Sequence, residues 1–78
     1  MPGIPVPPKS LAKAIDHINT GGRLAVVTYL RGWLIDASLM HQWELYGRPL
    51  LREEGDGYRM QTGKSSVYLL PGQLKMVD

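Results

Sequence analysis

Cysteine and phenylalanine are both missing from this chain of 78 residues. Without cysteine, neither a disulfide framework nor a thiolate metal site can compensate for the thin core of so short a chain, although a homodimer would. The lack of disulfides also fits a cytosolic protein. Without phenylalanine, every aromatic ring belongs to tryptophan or tyrosine. Each ring therefore carries a polar group and suits a boundary between a dry and a wet environment, including a protein interface.

Long apolar runs are also absent. None approaches the roughly 18 residues of a membrane span, and the first ten residues lack the basic start and apolar centre of a signal peptide. We therefore expect a soluble, cytoplasmic protein. Nine basic and seven acidic residues give a net charge of +2, and the two signs are mixed along the chain. This mixing does not favour a nucleic-acid binder, which usually concentrates its positive charge on one face.

The chain opens with a proline-rich arm, residues 1–8, which precedes a single domain of residues 9–78. The arm holds four of the six prolines, so helix is excluded and extended or polyproline backbone is favoured. Two interpretations stay open for it. The arm lies on the surface of the domain, or Ile4 and Val6 dock into a partner.

A helix over residues 9–20 is followed by a strand. Four apolar residues repeat at helical spacing: Leu11, Ala14, Ile15 and Ile18. The Gly21-Gly22 pair ends this helix by supplying a left-handed cap. The next stretch, Arg23–Leu30, is rich in β-branched and aromatic residues, and we expect it to be the buried central strand.

From Trp33 to Leu45 two interpretations compete. Apolar residues at nearly every odd position fit a strand. Asp36 is a good helix N-cap, however, and Gly47 with Pro49 fits a helix stop. We favour a strand to Ile35 and a helix from Asp36 to Tyr46, with the strand interpretation still open.

The second half of the chain predicts an antiparallel meander. Three short strands are separated by glycine-containing turns: Leu50–Glu54, Tyr58–Thr62 and Ser66–Leu70. Residues 74–77 add an edge strand or cap the sheet. The fold class is α+β, with two short helices packed on one face of a small, mainly antiparallel sheet of about four strands.

No catalytic, metal or cofactor site is predicted. Gly63-Lys64-Ser65 lacks the earlier glycine and the following helix of a phosphate-binding loop. The two histidines lie on separate elements without cysteine nearby, which gives a metal site little support. Ser38, His41 and Asp36 assemble into a nucleophilic triad only on paper, because no strained elbow or oxyanion loop accompanies them.

Partner binding is the remaining function class. The candidate contact residues are arginines and aromatic rings displayed beyond the central strand or on an open sheet face: Arg31, Trp33, Arg52, Tyr58, Arg59 and Tyr68. For the tyrosines and Trp43, packing in the hydrophobic core is the alternative interpretation. We expect a non-enzymatic protein that needs no cofactor.

The closing segment, residues 66–76, has the sequence SVYLLPGQLKM. It resembles the C-terminal strand and tail of small phage-encoded anti-CRISPR proteins that act on type I effector complexes. The resemblance implies an inhibitor that binds protein subunits of a CRISPR effector in the host cytoplasm and blocks it. A small nucleic-acid-binding regulator is the alternative function.

Overall fold

A computed structural model of the chain describes residues 3–78, so Met1 and Pro2 of the expected arm lie outside the described residues. The two helices are α1 (Leu11–Asn19) and α2 (Ala37–Leu45). The strands, in chain order, are β1 (Ile4–Pro5), β2 (Arg23–Val27), β3 (Gly32–Ile35), β4 (Leu51–Glu54), β5 (Gly57–Thr62), β6 (Ser65–Leu69) and β7 (Leu74–Val77). No helix within this range is long and apolar enough to cross a membrane.

The α+β class is confirmed, and the strands form two antiparallel sheets. The first sheet has the order β1-β7-β2-β3, and the second is the β4-β5-β6 meander. The meander and the helix at α2 are where the sequence places them. The last strand, β7, lies inside the first sheet between β1 and β2. Its position depends on pairing with β1 and β2, which lie far earlier in the chain, and local periodicity does not reveal such pairing.

The strand expected over Arg23–Leu30 ends at Val27. Its core part is as predicted, because β2 lies between β7 and β3 and both Leu24 and Val26 are fully buried. The last three residues are not strand. Thr28 and Arg31 close a turn through a 2.8 Å hydrogen bond from the Thr28 amide to the Arg31 carbonyl.

The proline-rich arm packs on the first sheet over its described part. Ile4 pairs with Met76 and Pro5 with Lys75. The amide of Val6 donates to the carbonyl of Leu74 at 2.9 Å, and the Val6 side chain is buried. Proline is compatible with such an edge position because an edge strand leaves one row of amides unpaired.

Helix α1 buries Ala14 and Ile18, as its spacing predicts, and Gly21 with φ +97 ends it in the left-handed conformation. His17 follows the apolar stripe of α1 on a half-buried face. Its ring Nε2 donates to the carbonyl oxygen of Val77 at 2.6 Å and ties the helix to the end of β7.

One hydrophobic cluster joins the arm, α1 and both sheets. Its buried members are Val6, Ala14, Ile18, Leu24, Val26, Ile35, Leu50, Leu51, Tyr58, Met60, Leu69 and Leu74. Helix α2 contributes no buried residue and packs only through the half-buried Leu39, Met40 and Trp43. The outer surfaces of α2 and of the second sheet are therefore available for binding.

Candidate interaction surfaces

Three of the predicted contact residues form one row across the second sheet. Arg52 of β4 pairs with Arg59 of β5, and Arg59 pairs with Tyr68 of β6. Directly paired residues of antiparallel strands point to the same face. The structure therefore brings Arg52, Arg59 and Tyr68 together on the outer face, as the sequence suggested.

Tyr58 does not share that face. It pairs with Leu69 on the inner side, is 2% exposed, and belongs to the core. Its hydroxyl accepts a 3.0 Å hydrogen bond from the Ser10 amide and donates a 2.7 Å bond to the Pro7 carbonyl. Burial raises the pKa of this hydroxyl above 10.0, against the opposing effect of the Ser10 amide. The ring is consequently not displayed for a partner in the folded chain.

Arg59 is held in place by two neighbours. Its Nε and Nη2 both donate to Glu54 Oε2, at 2.9 and 2.6 Å. Its guanidinium also lies 5.3 Å from the centroid of the Tyr68 ring, a cation–π distance. Arg52 is freer, because its one approach to a carboxylate is 4.0 Å to Glu54. The row thus presents one guanidinium that is held by a carboxylate and one that is only weakly paired.

A shallow pocket of about 220 Å³ opens beside this row, and we call it the arginine pocket. Its lining residues are Gly47, Arg48, Pro49, Arg52, Arg59 and Gln61. Arg48 comes from the loop between α2 and β4, and its Nη1 donates to the Gly63 carbonyl at 3.3 Å. Sequence reasoning missed Arg48, although its place between a glycine and a proline indicated an exposed turn.

A second cavity, about 530 Å³, adjoins the arginine pocket, and we call it the aromatic groove. Its lining residues are Gln42, Trp43, Tyr46, Arg48, Gly63 and Lys64. Arg48 lines both cavities, so they lie side by side. Tyr46 is 81% exposed, while Trp43 is half-buried against the core as the sequence interpretation allowed.

Basic side chains are concentrated at the two cavities. The two cavities are lined by four of the nine basic residues and by no acidic residue of the described chain. Glu54 stands next to them, engaged with Arg59. Strand pairing and the α2–β4 loop therefore bring four basic side chains to one part of the surface, where Arg52 and Arg59 both approach Glu54.

The turn between β2 and β3 forms a separate surface on the first sheet. We call residues Thr28, Tyr29, Leu30 and Arg31 the hairpin tip. Tyr29 is 97% exposed and Leu30 is 85% exposed, so the core role considered for Tyr29 is wrong. The Thr28 hydroxyl donates to the Arg31 carbonyl at 2.8 Å and accepts from the Arg31 amide at 3.1 Å. This side chain closes the turn without glycine.

Other exposed apolar residues lie near the hairpin tip. Val27 precedes it, and the Val27 amide donates to Gln73 in the β6–β7 turn at 2.8 Å. Leu70 begins that same turn and is exposed. The predicted contact residue Arg31 is exposed at the tip. Trp33 is half-buried in β3 and lines a third cavity of about 270 Å³ together with Trp43 and Met60.

Asp36 and Ser38, two of the three residues considered for a nucleophilic triad, cap helix α2 instead. Asp36 Oδ1 accepts hydrogen bonds from the Ser38 hydroxyl at 2.7 Å, the Ser38 amide at 2.9 Å and the Leu39 amide at 3.2 Å. These bonds, the Ser38 hydroxyl first, lower the pKa of Asp36 below 3.8 and cap α2. Over residues 3–78, no group of three histidine or carboxylate side chains is arranged to hold a metal ion.

The fold is a small α+β arrangement of two helices and two antiparallel sheets, of four and three strands. Comparisons with protein-family models, with curated proteins and with solved structures find no match to the chain.

Proposed function

We propose that this is a small non-enzymatic interaction protein that docks on protein subunits of a larger complex through its hairpin tip. The observation that carries the proposal is the near-complete exposure of Tyr29 and Leu30 at the end of a tight hairpin. Large apolar side chains grouped on a surface are characteristic of protein contact sites. Tyrosine and arginine are among the residues enriched in such interfaces, and the tip carries both Tyr29 and Arg31.

Turn chemistry supports a binding role for the tip. Two-residue hairpin turns favour glycine or asparagine at their central positions. Tyr29 and Leu30 occupy those positions here, and neither has a positive φ. The Thr28 hydroxyl compensates by bonding both backbone groups of Arg31. A tip closed in this way is ordered before binding, which lowers the entropy cost of association.

The partner we propose is a nucleoprotein effector complex in the host cytoplasm. The similarity of residues 66–76 to anti-CRISPR proteins suggests a type I CRISPR effector as the complex to test first. Blocking then results from steric cover of a protein subunit. A non-enzymatic mode of action is supported by the engagement of Asp36 and Ser38 in capping α2.

A pull-down with matched variants tests the proposal. The tagged protein is immobilised and incubated with a purified type I effector complex at physiological salt. Leu30→Gln removes an apolar anchor at the tip, and Leu45→Gln removes an exposed leucine of α2 that lines none of the three cavities. Loss of a central anchor costs about 2 kcal/mol or more, so Leu30→Gln should release most of the complex and Leu45→Gln should retain it. No retention by the wild type, or equal loss in both variants, contradicts the proposal.

A second copy of this chain is the alternative occupant of the tip. Sedimentation at two protein concentrations distinguishes it. We expect the same sedimentation coefficient at both. A coefficient that rises with concentration in the wild type but not in Leu30→Gln would assign the tip to a homodimer instead.

A further inference from the structure

We infer that the arginine pocket and the aromatic groove together form a binding site for single-stranded nucleic acid. The inference is independent of the hairpin tip, which lies on the other sheet. It rests on the four cations that the α2–β4 loop, β4, β5 and the β5–β6 turn bring together, and on the aromatic rings that adjoin them.

The arginine pocket has the composition of a phosphate site. Arg48, Arg52 and Arg59 surround about 220 Å³, and their guanidinium groups donate in the planar fork that matches phosphate oxygens. The nearest carboxylate, Glu54, engages the Nε and Nη2 of Arg59 through a single oxygen. Within the described chain, the Nη1 of Arg59 has no protein partner, and Arg52 has only the 4.0 Å approach to Glu54.

The aromatic groove adds rings on which bases can stack, which a phosphate site alone does not have. Tyr46 is exposed, Trp43 stands beside it, and Arg48 connects them to the arginine pocket. Stacking of bases on aromatic rings beside a basic track is the general mode of single-strand recognition. Lys64 also lines the groove and adds a second cation to it, beside Arg48.

A single strand fits this surface better than a duplex or an acidic protein segment. A base reaches Tyr46 only if it is unstacked from its neighbours, which a duplex resists. An acidic segment would satisfy the arginines but would leave the exposed ring of Tyr46 without a stacking partner. The charge distribution supports a polyanion, because the cavity linings hold four cations while acidic residues outnumber basic ones on the rest of the chain.

The test is a fluorescence-anisotropy titration of labelled 12-residue oligothymidylate and oligouridylate, a 12-base-pair duplex and an oligoglutamate, each in 50 to 200 mM NaCl. We expect both single strands to bind more tightly than the duplex or the oligoglutamate. The logarithm of affinity should fall with the logarithm of salt by about 0.7 for each phosphate contact.

Three variants locate the site. Arg52→Gln should weaken single-strand binding roughly eightfold at 50 mM salt and reduce the salt slope by about 0.7, as expected for one lost phosphate contact. Tyr46→Ser should weaken it roughly tenfold with the slope unchanged, because stacking is not a counterion effect. Lys13→Gln makes the same charge change on the exposed side of α1 and should have a much smaller effect.

Several results would overturn the inference. They are the absence of binding at 50 mM salt, equal loss in Lys13→Gln and Arg52→Gln, no effect of Tyr46→Ser, and equal or tighter binding of the duplex or the oligoglutamate. Circular dichroism of each variant must match the wild type, and Arg48→Gln serves in place of Arg52→Gln if that variant does not.

Discussion

The hydroxyl of Tyr58 donates a 2.7 Å hydrogen bond to the carbonyl oxygen of Pro7. The hydroxyl oxygen of Tyr58 also accepts a 3.0 Å hydrogen bond from the Ser10 amide at the start of α1. One buried group of the second sheet thus connects the proline-rich arm with the first helix. Since the arm also pairs with β7 of the first sheet, this contact helps to hold the two sheets as one folded unit.

Tyr58→Phe should destabilise the protein. The ring remains to fill the core, but the Pro7 carbonyl and the Ser10 amide lose their partner, at a cost of about 1 to 3 kcal/mol. Urea unfolding followed by circular dichroism measures the change. Tyr29→Phe is the matched control, because the Tyr29 ring is almost fully exposed, and it should change the free energy of unfolding by less than about 0.5 kcal/mol. Equal changes in the two variants would contradict this role.

Alkaline pH should remove the stability that the Tyr58 hydroxyl contributes. Burial raises the pKa of Tyr58 in the folded chain above 10.0, so the unfolded chain releases this proton at lower pH than the folded chain does. The stability linked to Tyr58 is fully present below about pH 10 and is lost as pH rises through the folded pKa. Unfolding measured at several pH values from 8 to 11.5 should show a steeper decline for the wild type than for Tyr58→Phe. The same pH dependence of the unfolding free energy in both proteins would contradict a raised pKa of the Tyr58 hydroxyl.

Gly57→Ala should be far more damaging than Gly32→Ala. A Cβ at Gly57 would collide with the Leu69 carbonyl and with the Tyr68 ring, and a backbone atom in a paired strand cannot move away. At Gly32 the nearest atom is the Val26 carbonyl oxygen at 3.6 Å, an ordinary contact. Thermal unfolding should show a loss of about 2 kcal/mol or more at Gly57 and a small change at Gly32. Similar melting temperatures for the two variants would contradict the packing of β5 against β6.

The helix α2 shows what the sequence predicts well. Asp36 and Gly47 marked its two ends correctly, because capping depends on side chains within a few residues of the helix terminus. The Asp36 side chain accepts from the amides of Ser38 and Leu39, which are close to Asp36 in the chain. Local chemistry of this kind was sufficient to choose helix over strand.

Acid pH should weaken this cap. The Ser38 hydroxyl and the amides of Ser38 and Leu39 lower the pKa of Asp36 below 3.8, so its contribution is present above about pH 4 and is lost as pH falls through the folded pKa. Asp36→Asn keeps a good N-cap residue without the titration. Unfolding measured from pH 5 to pH 2 should show a shallower decline for Asp36→Asn than for the wild type. An identical acid decline would contradict a charged cap.

The candidate sites were harder to predict, for two physical reasons. Tyr58 and Arg59 are neighbours on one strand, and strand alternation sends their side chains to opposite faces. This alternation could be read from the sequence, and it excluded a single surface that carries both Tyr58 and Arg59. The position of β7 depends instead on pairing with β1 and β2, which are distant in the sequence, and a single sequence does not specify that pairing.

The hairpin tip was missed because its residues have high strand propensity. Thr28, Tyr29 and Leu30 continue the pattern of β2, and no glycine or asparagine marks the turn. The turn is closed by the Thr28 amide and hydroxyl, which both donate to the Arg31 carbonyl, and by the Arg31 amide, which donates to the Thr28 hydroxyl. A turn closed by a side chain in this way has no characteristic sequence pattern from which it could be predicted.

The most direct test of the account is the salt dependence of binding to the effector complex. Binding driven by the apolar tip is barely screened by ions, whereas binding driven by the arginines weakens steeply with salt. Calorimetric titration of the complex should give nearly the same Kd at 150 and 500 mM NaCl for the wild type, and a Kd at least tenfold higher for Leu30→Gln at both. A Kd that rises steeply with salt, together with an unchanged Kd for Leu30→Gln, would contradict docking through the hairpin tip.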